Sequence, residues 1–362
     1  MRFENASVFE MGLTFSLLMF LLVFPFNLSA QSSVQQERLT FVRLTGEQYR
    51  NSIRDIFGES IEVRGDAVSA GVREAGLTAL GDRRLTLSSS EVESFEVLAL
   101  DIASQVLEPS RRTTLIPCEP ENRNSVDNEC ASEFISSVGL HLFRRPLTQD
   151  EVEGFKSMAS AATNSLGSFY VGLQAALVGM MVSPDFLFRT ERSSPNPEAP
   201  GLRQLDAWSI ASRLSFFLWN TTPSVSLLKA AESGELLFEE GLNKQVDRMM
   251  SSPRVEDGLR AFFSDMLAFD RFNTLDIDPT LYPKFTKSVE DEAREQTLRT
   301  IAYHLLDQES DYRDIFDSRK TFLTPALAAL YGVPIPIRQE MGGRVPWVPY
   351  EFPDGHVRAG IL

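Results

Sequence analysis

The sequence is poor in the residues and motifs from which most active sites are built. Its 362 residues include two cysteines and three histidines, and no histidine lies in a His-Glu-x-x-His pattern or beside a cysteine at metal-ligand spacing. It has no phosphate-binding loop, no dinucleotide fingerprint and no Gly-x-Ser-x-Gly motif. Neither cysteine begins the Cys-x-x-Cys-His pattern of covalent haem attachment. We therefore expect no metal and no cofactor.

An excess of positive charge is also lacking. The chain carries 35 Lys and Arg against 50 Asp and Glu, a formal net charge of −15 at pH 7. A field of this sign repels phosphate backbones and anionic lipid headgroups. We therefore expect no nucleic-acid partner and no peripheral membrane binding.

One long apolar run is present, over residues 13–26. It is shorter than the ~20 residues that a membrane-spanning helix needs, and the small residue Ala30 follows it at a plausible cleavage point. This pattern predicts a signal peptide over residues 1–30, export to the periplasm or cell surface, and no membrane contact beyond that segment. Glu4 and Glu10 are atypical of a signal peptide, which leaves an uncleaved anchor as the alternative.

The two cysteines, Cys118 and Cys130, bracket a short polar segment. In an oxidising compartment such a pair is typical of a disulfide. Metal ligation is the alternative, and it would require two further ligands at close spacing. We therefore predict a disulfide between Cys118 and Cys130.

Apolar residues recur at helical spacing along most of the mature chain, which predicts an all-α protein in two helical lobes, followed by an irregular C-terminal segment rich in Pro and Gly. The central element is a helix that Asp206 caps at its N-terminus, with Ile210, Leu214 and Phe217 on one face and a second apolar stripe opposite. Arg213 lies among these apolar faces and needs a carboxylate or carbonyl partner.

Composition and helix spacing divide the chain into five parts. The polar stretch at residues 193–201 contains three prolines and is predicted to link the two lobes. The predicted parts are a signal peptide (1–30), an N-terminal helical segment (38–110), a helical domain with the Cys-bracketed loop (111–192), the main helical domain (202–333) and a further domain that has only begun (334–362).

The catalytic patterns in the sequence are weak. Ser226 and Lys229 match Ser-x-x-Lys, but the partner motifs of acyl-serine enzymes are missing. A calcium-loop pattern after Asp307 lacks both the turn glycine and the final glutamate. His356 lies in a predicted loop, and we take it with Asp206 and Arg213 as the candidate functional residues.

Five segments resemble the planctomycete- and myxobacterial-type family of exported proteins made of serial domains of unknown function. These segments are Arg43–Gly58, Phe143–Thr148, Ser183–Arg189, Ala211–Trp219 and Leu330–Gly332. The resemblance implies export, and because some members carry a cytochrome c-like domain, it implies a redox setting with a cytochrome c-like protein as a possible partner. It supplies no catalytic residues. The segment from Asp354 resembles the start of the family's next domain, so we expect the chain to be an N-terminal fragment.

These observations favour a non-enzymatic structural or partner-binding module of an envelope assembly, with protein partners in the cell envelope. The alternative is a secreted hydrolase whose carboxylates converge only in the fold. A concave pocket with perturbed carboxyl or imidazole groups near Asp206, Arg213 or His356 would favour the hydrolase.

Overall fold

A computed structural model describes residues 38–65, 73–81, 87–196, 199–274, 277–336 and 347–361. The predicted signal peptide, residues 1–30, lies outside the described residues.

Eleven helices of at least seven residues contain nearly half of the described residues, and the shorter helical turns raise the helical share to more than half. They are α1 (Gly46–Phe57), α2 (Ser89–Val106), α3 (Asn128–Phe143), α4 (Gln149–Leu166), α5 (Phe169–Met181), α6 (Ala207–Leu218), α7 (Val225–Glu232), α8 (Glu239–Met250), α9 (Val255–Met266), α10 (Lys287–Ala302) and α11 (Pro325–Tyr331). Shorter helical turns span Thr78–Gly81, Arg112–Leu115, Pro184–Leu187, Glu235–Leu237, Phe269–Thr274 and Tyr312–Phe316, and a π-helical turn, Tyr303–Asp307, follows α10.

Two small antiparallel sheets accompany the helices, so the prediction of an all-α fold was too narrow and the protein is mostly helical. The first sheet has the order β1 (Arg38–Arg43), β2 (Phe188–Pro195), β3 (Arg203–Leu205). The second pairs β4 (Lys320–Leu323), in the predicted main helical domain, with β5 (Val348–Glu351), in the C-terminal segment predicted to be irregular. Apolar periodicity missed these strands because they are short and pair residues far apart in the chain.

The cap predicted at Asp206 is present, and two other helices begin at capping boxes. Thr45 and Gln48 form a reciprocal capping box at α1, and Thr148 and Glu151 form another at α4. At α6 the Asp206 carboxylate accepts from the backbone N–H of Ser209. These caps satisfy backbone N–H groups that have no partner inside the helix, and so they fix where each helix begins.

Helix α6 lies where two apolar cores meet. Its Phe216 packs into the cluster built mainly by α1 to α5, whereas Ala211 and Leu218 belong to a cluster shared with α7 and α8. Two further clusters of the described residues form around α9, α10, α11 and β4. The predicted linker, residues 193–201, contains the end of β2, and the chain then turns back into β3. The division into domains stays a prediction.

Candidate functional site

Asp206 and Arg213, two of the predicted site residues, lie where the first sheet meets α6. Asp206 is the helix cap, with 2.6 Å between its Oδ1 and the Ser209 nitrogen. Arg213 has the carboxylate partner that the sequence required: its Nε and Nη2 donate to Glu191 of β2 at 3.0 and 2.5 Å. This pairing raises the pKa of Arg213. The crevice that Asp206 lines has a volume of about 20 Å³, and this leaves no room for a substrate.

His356 lies elsewhere, in the turn after β5. Its ring stacks on the buried ring of Phe352, with 4.7 Å between the centroids, and its Nδ1 accepts from the backbone N–H of Arg358 at 3.1 Å. Among the described residues, no hydrogen bond or ion pair joins His356 to Asp206 or Arg213. The three predicted residues therefore do not form one site.

Two arginines at the end of α3 bind the helical turn Pro184–Leu187 and the start of β2. Arg144 is buried, and its guanidinium donates to the backbone carbonyls of Asp185, Phe186 and Phe188. Burial lowers its pKa, and the Asp185 carboxylate partly opposes that shift. Arg145 is ion-paired with Asp185 at 3.0 Å. Two of the segments that carry the family resemblance thus contact each other as structural anchors.

The turn that follows α6 is held by α1. The side-chain amide of Asn51 donates to the backbone carbonyl of Asn220 at 3.1 Å, and the Thr221 hydroxyl donates to Asp55 at 2.8 Å. Asn220 adopts a left-handed conformation with φ 54°, and Asn220 and Thr221 are both buried. We call these contacts between α1 and the turn at Asn220 and Thr221 the Asn220 junction, and the sequence analysis did not predict it. The run of polar residues directly after a helix that is apolar on two sides was the available signal.

Two carboxyl groups near this junction have raised pKa values. Burial raises the pKa of Glu47; the Arg50 guanidinium opposes the shift and the Asp257 carboxylate adds to it. By surface area the Glu47 residue is exposed. Burial also raises the pKa of Asp257, and the Arg254 guanidinium opposes this shift.

In the ranges that the structure describes, no group of three or more His, Cys, Asp or Glu is placed to hold a metal ion.

The solvent side of α6 carries an apolar stripe, which we call the outer face. It consists of Arg213 and Phe217, which are exposed, and of Ile210 and Leu214, which are partly buried and also pack against the cluster shared with α7 and α8. Phe217 is 72% exposed, whereas Ile210 and Leu214, which share its predicted apolar face, are partly buried. Helix α9 lies close to the backbone at this end of α6, since a Cβ at Gly258 would lie 2.8 Å from the Phe217 carbonyl oxygen.

A large polar cavity lies farther along the chain, and we call it the C-terminal cleft. It has a volume of about 470 Å³, within the ~300–1,000 Å³ typical of small-molecule sites. It is lined by Gln296, Thr297, Thr300, Ser318, Arg319, Lys320, Thr321, Tyr331, Phe352 and residues 357–361. Neither Glu47 nor Asp257 lines it.

Cys118 and Cys130 are joined by a disulfide with 5.5 Å between their Cα atoms. Cys130 lies in the first turn of α3 and is buried. The bond therefore ties the loop before α3 to the core.

No helix of the described ranges combines the length and the apolar character needed to cross a bilayer.

Two family models match the chain. Residues 205–333 match the model described as PSD4, a protein of unknown function (DUF1592), and residues 130–191 match PSD5, a protein of unknown function (DUF1595). The chain therefore contains two serial domains of unknown function. The comparison with curated proteins found no match, and neither did the comparison with solved structures.

Proposed function

We propose that the protein is exported and acts as a non-enzymatic, partner-binding module of an envelope assembly, with a protein partner docking on the outer face of α6. The observation that carries this proposal is the exposure of Phe217 on the helix that joins two apolar cores. A large aromatic side chain at such a place costs solvation free energy unless another surface covers it.

The composition of the outer face suits protein recognition. Aromatic residues and arginine contribute most often to the binding energy of interfaces. The Arg213 side chain is 53% exposed, and Glu191 holds its guanidinium in one orientation. Because that orientation is set before binding, less side-chain entropy is lost when a partner docks.

The disulfide and the predicted signal peptide support export, since disulfides persist in oxidising compartments. The net charge of −15 favours a partner of positive charge, because complementary fields speed association and exclude partners of like charge. A basic cytochrome c-like protein meets this requirement, and we propose it as the first partner to test.

A secreted hydrolase is less well supported. The candidate acids Glu47 and Asp257 lie near the Asn220 junction and do not line the C-terminal cleft. The predicted residues Asp206, Arg213 and His356 are engaged in a cap, an ion pair and a ring stack. These contacts explain the positions of the three side chains without assigning any of them a catalytic role.

The proposal predicts that Phe217→Glu disrupts the assembly while leaving the fold intact. The variant removes the aromatic ring from the interface and places a carboxylate against the apolar part of the partner that covers Phe217, so we expect affinity to fall at least tenfold. The measurement is the size of the native complex in the exported fraction by size-exclusion chromatography with light scattering.

The matched control is Val97→Glu, because Val97 is 67% exposed in the middle of α2. This variant should assemble like the wild type. Equal loss of assembly in both variants, or none in Phe217→Glu, would contradict the proposed surface.

A further inference from the structure

The C-terminal cleft has a polar, hydrogen-bonded floor. The Tyr331 hydroxyl donates to Gln296 Oε1 at 2.6 Å, and Gln296 Nε2 donates to the Thr321 hydroxyl at 3.0 Å. The hydroxyls of Thr321 and Thr300 lie 3.0 Å apart, and Gln296 and Thr300 are buried. Because each hydroxyl oxygen can accept two hydrogen bonds, this floor keeps free acceptor positions for the hydroxyl groups of a ligand.

The walls of the cleft are cationic. Arg319, Lys320 and Arg358 line it, and none of its described lining residues carries a carboxylate. Arg319 is paired with Asp354 at 2.5 Å. Within the described part of the chain, no ion pair engages Lys320 or Arg358. The protein has a net charge of −15, so two cations without an ion-pair partner at one cavity give that cavity a charge opposite to the net charge of the chain.

The Arg358 guanidinium is held in place without a carboxylate. Its carbon lies 4.0 Å from the centroid of the Tyr331 ring. The chain after it is fixed as well, because the backbone N–H of Gly360 donates to the Ser318 carbonyl at 2.8 Å. A cation placed in this way over an aromatic ring retains its N–H donors for an anion.

A neighbouring cavity of about 400 Å³ shares Thr300, Ser318 and Lys320 with the cleft, but it is also lined by Asp314 and Asp317. These carboxylates repel an anion. The anionic end of a ligand is therefore favoured on the Arg358 side of Lys320.

We propose that the C-terminal cleft binds a small hydroxy acid, with its carboxylate at Lys320 and Arg358 and its hydroxyl groups on the Gln296, Thr300 and Thr321 floor. Selectivity for a hydroxy acid requires both halves of the cleft. The cations alone would accept any anion, and the hydroxyl-lined floor alone would accept any sugar. Ligand binding in the cleft is a function separate from the proposed docking of a protein partner and does not depend on it.

Gluconate is the probe, and its affinity for the full chain is measured by isothermal titration calorimetry at constant ionic strength. Glucose tests hydroxyl groups without charge, and inorganic phosphate tests charge without carbon-bound hydroxyls. Both should bind at least tenfold more weakly than gluconate. The proposal would be overturned if either phosphate or glucose bound as tightly as gluconate.

The variants test each half of the cleft. Lys320→Gln with Arg358→Gln should weaken gluconate binding at least tenfold. Lys229→Gln, which changes an exposed lysine of α7 outside the cleft, should leave it unchanged. Thr321→Val should weaken gluconate binding without altering the weak phosphate binding. Wild-type affinity in the double variant would overturn the proposal; because Lys320 is exposed, the single Lys320→Gln variant gives the same test if the double variant does not fold.

Discussion

At the scale of single residues, Glu151 shows how a charge stabilises this fold. Hydrogen bonds from Arg145 are the largest influence on its carboxyl, and with those from Thr148 they lower its pKa from 4.5 to about 2. A carboxyl with a lowered pKa contributes stability above pH 4.5, and this contribution is lost as the pH falls from 4.5 towards 2. Because 26% of the side chain is exposed, solvent screening reduces the contribution to about 1 kcal/mol.

We therefore predict that Glu151→Gln lowers the free energy of unfolding by about 1 kcal/mol at pH 7 and by progressively less below pH 4.5. Glutamine can still complete the capping box with Thr148, so the variant removes mainly the charge. Urea unfolding at a series of pH values measures the difference. The same loss at pH 7 and pH 2.5 would show that the charge is not responsible.

Glu153→Gln is the control for this prediction. Glu153 lies on the same helix, is 55% exposed and pairs with Lys156 one turn away. Such surface pairs contribute roughly 0–1 kcal/mol. We expect its effect to stay below about 0.5 kcal/mol at every pH.

At the scale of elements, the crossing of α6 and α9 depends on Gly258. A Cβ at this position would lie 2.3 Å from the Leu218 carbonyl oxygen, which is backbone and cannot rotate away. We predict that Gly258→Ala lowers the free energy of unfolding by roughly 1–3 kcal/mol, because overpacking outweighs the higher helix propensity of alanine.

The matched control is Gly154→Ala in α4, where a Cβ would meet no atom within 4 Å. Without a clash, helix propensity alone should stabilise the protein by up to about 1 kcal/mol. Chemical denaturation of the two variants gives the comparison. Stabilisation by both substitutions would mean that α9 does not approach α6 as closely as described.

The sequence contained enough to predict most helices and their beginnings. Thr45, Thr148 and Asp206 are local signals, because a cap acts on N–H groups two or three residues away. The strands were missed because β1 pairs with β2 across the first five helices, as in the pairing of Arg38 with Ser193. No local pattern encodes such a pairing.

At the scale of the whole molecule, the candidate site could be predicted only in part. Helical spacing identified α6 as central and Arg213 as requiring a partner, but it could not show which apolar side of α6 would remain uncovered. That depends on α9, whose Gly258 reaches the end of α6. The C-terminal cleft was equally hidden, because Gln296, Lys320 and Arg358 come together only when β4 pairs with β5 and the tail folds back.

The proposed function requires a protein partner to bind the outer face of α6 outside the cytoplasm. Its most direct test is site-specific photo-crosslinking in intact cells, with a benzophenone amino acid at position 217 and, as the control, at position 97. We expect one discrete adduct from position 217 in the exported fraction and none from position 97; adducts of equal yield at both positions, or no adduct at 217, would contradict docking on the outer face.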